Sequence, residues 1–174
     1  LELAFTHELV HYLHLTRPRG FFGVASRVFG PLTAAGSVLF LPGWAVEAPT
    51  VYAETTLTPG GRGEDPFFAM TWLAPIYEHR MYGYDQAGFS PVLPPRARIY
   101  SAGYLMNDHV RTTYGDDAYH SLNDAFMRWP FLGMRRAIAR ATGISADAVW
   151  WEMRRKIELR SAERFSLPPG APVS

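Results

Sequence analysis

The stretch FTHELVHYLHL, Phe5 to Leu15, carries three of the chain's six histidines and one glutamate, with no glycine or proline to interrupt it. Leu3, Leu9, Val10 and Leu13 form a broken apolar stripe beneath them, so residues 1–15 predict an α-helix. On that helix His7 and His11 stand just over one turn apart and project from one face. This face has two readings: a chance cluster of polar residues in solvent, or a pair of ligands for one metal ion.

The pentapeptide HELVH matches H-E-x-x-H. Neutral imidazoles are good zinc ligands, at about 2.0–2.1 Å. Glu8, one residue on from His7, is rotated away from the ligand pair yet near enough to reach a water on the metal, where it would act as general base. A catalytic zinc usually takes three protein ligands. His14 shares the face of His7 and His11, but seven residues of straight helix span about 10 Å, too far for all three to meet on one ion. The longer pattern with a glycine turn and a third histidine fails as well: His14 occupies its glycine position and Arg17 its histidine position. His14 therefore reads as a supporting or surface residue.

A better third ligand lies in WAVEAPTVYAE, Trp44 to Glu54. Glu47 stands among apolar residues near the start of a second predicted helix, over Trp44 to about Thr56. An unpaired carboxylate is expensive to bury there, and a metal removes that cost. The competing reading is a carboxylate favoured by the helix N-terminus through the macrodipole. Pro49 is placed in the first turn, where its missing amide costs little. Glu54 reads either as a partner for a metal-bound histidine or as a surface residue.

The rest of the chain is read as mainly helical. TRPRGFFG ends the first helix, and residues 24–41 are ambiguous between a short helix followed by a strand and a buried connection. TPGGRGEDP (58–66) is a loop. FFAMTWLAPIYEHR is a helix with a kink at Pro75. Residues 85–98 form a long proline-rich loop, a type of segment that is often functional. Helices follow over about 99–114, 116–128, 131–142 and 146–163, the last capped by Ser145. One domain, 1–166, and a tail, 167–174, account for the 174 residues.

Composition narrows the function. Seventeen basic and 16 acidic residues leave a net charge of +1, which gives no argument for a nucleic-acid partner. The absence of cysteine rules out thiolate metal sites and disulfides. No apolar run reaches the roughly eighteen residues of a membrane helix. The chain starts at Leu1 rather than at a methionine and is read as a processed piece or fragment. His79, His109 and His120 are expected at the surface or partly satisfied. Trp150, Trp151 and Met153 are expected to pack the core from the last helix. The arginine-rich MRRAIARA and MRRKIELR read as solvated faces.

HELVH followed by EAPTVYAE resembles the gluzincin metallopeptidases, particularly the aminopeptidase N type. In that family a glutamate ligand follows H-E-x-x-H in a segment N-E-G-x-[TA]-x-Y-x-E; Glu47, Thr50, Tyr52 and Glu54 stand at matching places. Tyr100 and Gly103, in IYSAGYLMNDHV, match a later Y-x-x-G. The C-terminal part is similar to the helical tail of bacterial peptidase-MA-like domains. The resemblance implies zinc held by His7, His11 and Glu47, Glu8 as base, and Tyr100 as donor to the oxyanion. It implies a helical zincin-type domain whose usual upstream β-sheet is largely absent, a peptide or protein substrate, an exported protein, and a neighbouring β-propeller domain. Val46, Ala48 and Pro49 depart from the motif, the 35-residue gap between His11 and Glu47 is long for the aminopeptidase N type, and no G-x-M-E-N segment for a substrate amine is present. Ala48–Pro49 and the absent G-x-M-E-N segment favour an alternative: a pseudo-peptidase serving as a binding or interaction module.

Overall fold

A computed structural model describes residues 2–16, 19–90, 92 and 96–166. The expected tail lies outside the described residues, as does part of the proline-rich loop. Among the described residues nine α-helices run in order: α1 (Glu2–Leu15), α2 (Gly20–Phe29), α3 (Gly43–Leu57), α4 (Pro66–Tyr77), α5 (Tyr84–Ala87), α6 (Arg98–Tyr114), α7 (Asp116–Arg128), α8 (Gly133–Thr142) and α9 (Ala146–Ser166). Three 3-10 segments, Pro31–Phe40, Arg62–Glu64 and Pro130–Leu132, link them. No strand occurs among the described residues, and the fold is mainly α. None of these helices is long and apolar enough to cross a membrane.

Several boundaries follow local chemistry. Asp65 accepts a hydrogen bond from the Phe67 amide at 2.9 Å, and Pro66 takes the first helical position of α4. Both residues suit a helix start. Ser145 accepts from the Ala148 amide at 3.2 Å and opens α9 as expected. The segment expected as a strand or buried connection before Leu41 is instead a 3-10 run, and α8 starts at Gly133 after a proline-led turn. The proline-rich loop begins with the short helix α5. Pro75 sits in the last turn of α4, which ends two residues later, so the proline accompanies a helix end rather than a kink within a longer helix.

α3 and α6 form the centre. Gly103 is the contact point: a Cβ there would lie 2.5 Å from the Trp44 carbonyl oxygen and 2.9 Å from the Ala48 amide nitrogen. Only a glycine lets the two backbones come so close. Asn107, one turn on and buried, donates to the Ala48 carbonyl at 2.9 Å and accepts from Arg111 at 2.8 Å. Around this pair, α7, α8 and α9 close a core in which Met106, Phe126, Ile138, Val149, Trp150 and Met153 are all buried. Full burial of each such side chain stabilises the fold by roughly 1.5–3 kcal/mol.

One expectation about packing is corrected. Trp151 is 59 % exposed while Trp150 beside it is buried, donating from Nε1 to the Tyr82 carbonyl at 3.0 Å. Successive helical residues point about 100° apart, so only one indole of the pair can face the core. Of the two readings for His109, surface or partly satisfied, the second holds: it is 4 % exposed on α6, with Nδ1 3.3 Å from the Thr113 hydroxyl and Nε2 without a hydrogen bond among the described residues.

Candidate metal centre

α1 has no fully buried side chain; one face, carrying His7, His11 and His14, turns toward α3. The other presents Phe5, Leu9, Tyr12 and Leu13 to solvent. α3 answers with a matching row. Glu47, Thr50 and Glu54 follow a spacing of three and four residues, which places them on one helix face.

The two faces bring His7, His11 and Glu47 together. Their ligand atoms form a triangle: His7 Nε2 to His11 Nε2 is 3.0 Å, and each of these nitrogens is 3.4 Å from Glu47 Oε2. The side chains are 12, 18 and 13 % exposed. A tetrahedral ion with bonds of about 2.0–2.1 Å has ligand atoms about 3.3 Å apart. The triangle therefore has a size that suits a tetrahedral metal ion.

The tautomers agree with that fit. His7 Nδ1 lies 2.6 Å from Oε1 of Glu54, a carboxylate 1 % exposed. An ionised carboxylate only accepts, so Nδ1 is the donor in this contact and Nε2 is the nitrogen that faces the triangle. Such carboxylate–histidine pairing is the common support for a metal-bound imidazole. Of the two readings the sequence allowed for Glu54, the surface one is excluded. Its spacing of seven from Glu47 is the signal that could have decided this, since two helical turns return to the same face. Glu47 is itself held: the buried Thr50 hydroxyl donates to its carbonyl at 2.7 Å and stands 3.5 Å from Oε2.

Pro49 lies in the second turn of α3, not the first, because the helix begins at Gly43. It therefore removes an amide that the Ala45 carbonyl would otherwise meet.

Glu8 is exposed on α1 and makes no hydrogen bond to the described residues. Tyr100, in the first turn of α6, has its ring centroid 6.5 Å from that of His7. Partial burial raises the pKa of its phenol; Glu47, Glu54 and Glu8 raise it further, while Arg62 opposes them. The hydroxyl is thus kept as a proton donor. Tyr104, one turn on, belongs elsewhere: its ring packs 6.4 Å from Phe68 and 6.1 Å from Trp72.

His14 stays outside the triangle. Both its ring nitrogens are buried without a well-formed hydrogen bond. Burial lowers its pKa and His11 lowers it further, with the Asn123 side chain favouring the charged form. His79 and His120 are exposed. Among the described residues, His7, His11 and Glu47 make the one cluster with metal-binding geometry. Sequence reasoning gave no role to Arg62, which donates to Glu54 Oε1 at 2.7 Å.

No protein-family model matches the chain, and neither a curated protein nor a solved structure is significantly similar to it.

Proposed function

We propose that the chain is a zinc-dependent metallopeptidase domain of gluzincin type that hydrolyses peptide bonds, with His7, His11 and Glu47 holding the ion. The triangle of ligand atoms, sized for a tetrahedral ion and backed by a buried carboxylate on His7, carries this reading. Two imidazoles and one carboxylate are a donor set of catalytic zinc sites.

Zinc held there would polarise the scissile carbonyl and acidify the attacking water. Glu8 would take a proton from that water and return it to the nitrogen of the leaving amine. Its exposure suits this role, since a base must meet both water and substrate. Tyr100 would donate a hydrogen bond to the oxygen on which negative charge grows. A protonated phenol beside His7 supports that assignment.

The test combines metal content with turnover. Folded wild-type protein should retain about one zinc per chain and cleave an unstructured peptide. Glu8→Gln should keep the zinc and lose turnover, because glutamine keeps the shape but cannot accept a proton. Glu47→Ala should weaken zinc binding itself. A folded sample that neither retains nor takes up zinc would sink the proposal. Zinc retained without turnover would favour a binding module built on the same site.

A further inference from the structure

We propose that Arg62 is a positioning residue of this centre: one guanidinium that holds both the carboxylate orienting His7 and the ring of Tyr100. The inference rests on the zinc reading above and adds a residue to it.

The chain places Arg62 by a close turn in GGRG, residues 60–63. A Cβ on Gly61 would lie 2.3 Å from the Glu54 carbonyl oxygen and 2.4 Å from the Thr55 Cα. Those are backbone atoms that cannot step aside, so glycine lets the turn run against the last turns of α3. The Gly63 amide then donates to the Thr55 hydroxyl at 2.9 Å and pins the turn there. Arg62 is carried back over the side of α3 that faces α1.

From that position Nη2 lies 3.4 Å from His7 Nδ1, and the guanidinium makes two further contacts. Nη2 donates to Glu54 Oε1 at 2.7 Å, the same oxygen that receives His7 Nδ1. Glu54 Oε2 is buried with no partner among the described residues, so the Oε1 donors set the carboxylate's orientation. The second contact is a stack: Cζ stands 5.0 Å from the centroid of the Tyr100 ring. A simple ion pair for Glu54 would need no planar group over Tyr100. The guanidinium therefore ties a support of a metal ligand to the proposed oxyanion donor. Its side chain is 37 % exposed, which puts it at the solvent side of the centre.

Lysine separates the two functions. An ammonium can pair with Glu54, but it lacks the planar fork that lies flat on an aromatic ring. The experiment uses the full chain carrying Arg62→Lys, Arg62→Ala and Arg62→Gln, each first checked for folding. Zinc affinity is read by competition with a chromophoric chelator, and the metal environment by the visible spectrum of the cobalt(II)-loaded protein. Arg62→Ala and Arg62→Gln should weaken zinc binding by about tenfold, the low end for the loss of a supporting partner, and shift the cobalt bands. Arg62→Lys should bind zinc nearly as the wild type does, yet lower the denaturant midpoint, and that loss should vanish on a Tyr100→Leu background. Unchanged zinc affinity in Arg62→Ala, or additive midpoints for Arg62→Lys and Tyr100→Leu, would overturn the inference. Failure of the wild type to bind zinc would instead overturn the zinc reading, and this one with it.

Discussion

His7 joins two carboxylates of one helix: its Nδ1 lies 2.6 Å from Glu54 Oε1 and its Nε2 lies 3.4 Å from Glu47 Oε2. The imidazole is thereby held at both nitrogens, Nδ1 against Glu54 and Nε2 toward Glu47 and His11. Glu54→Gln should test the value of that arrangement. The amide keeps the volume but removes the buried charge that both His7 and Arg62 address. Zinc affinity should fall by about 10–100-fold while the fold persists. Equal affinity in titrations against a chelator would show that the contact does not serve the metal site.

Tyr100 and Tyr104 stand one turn apart on α6 but in different surroundings. Tyr100→Phe should lower kcat by on the order of a hundredfold, with little change in KM or zinc content. Tyr104→Phe should leave turnover near wild type, because its ring belongs to the cluster with Phe68 and Trp72. Steady-state kinetics on the two variants decides, and a selective loss at Tyr104 would reverse the assignment.

Gly103→Ala asks how tightly α3 and α6 depend on their contact. The new methyl would meet the Trp44 carbonyl and the Ala48 amide, both backbone groups, so the helices must separate. Destabilisation of about 1–3 kcal/mol or more is expected from such overpacking. Because Glu47 sits on the displaced helix, zinc affinity should fall along with the denaturant midpoint. An unchanged midpoint would remove the close approach as a feature of the fold.

His109 and His14 predict how stability responds to acid. Burial lowers the pKa of His109 below 6.5, and Lys156 lowers it further, against Glu152 and Asp108; burial and His11 lower that of His14. Between each lowered value and about 6.5, the unfolded chain binds more protons than the folded one. Stability should therefore be full above that range and decline as pH falls through it. Urea midpoints at about pH 7.5 and 5.5 measure the slope, and His109→Asn should make it shallower. A slope unaffected by His109→Asn would mean that this histidine titrates alike in both states.

Much of this site is local and was therefore legible. Four residues along a helix place His7 and His11 on one face whatever surrounds them, and glycine, proline and capping residues mark most helix ends because they act within a turn. The face shared by Glu47 and Glu54 is equally a matter of spacing. What that face meets is not. The helical period says which side chains share a stripe, but a stripe carries no address for its partner. The approach of α1 to α3, made possible by packing of distant segments, turned Glu54 from an ambiguous glutamate into a buried partner of His7. The same holds for Arg62, whose role depends on a glycine turn folding back over α3, and for Trp151, expected in the core but exposed because neighbouring helices decide which side of α9 becomes core. Pro49 shows a further limit: its amide is lost from the second turn of α3, yet the helix continues around it. Local propensity amounts to a few kcal/mol at such a position, and the packing of a whole helix can outweigh it.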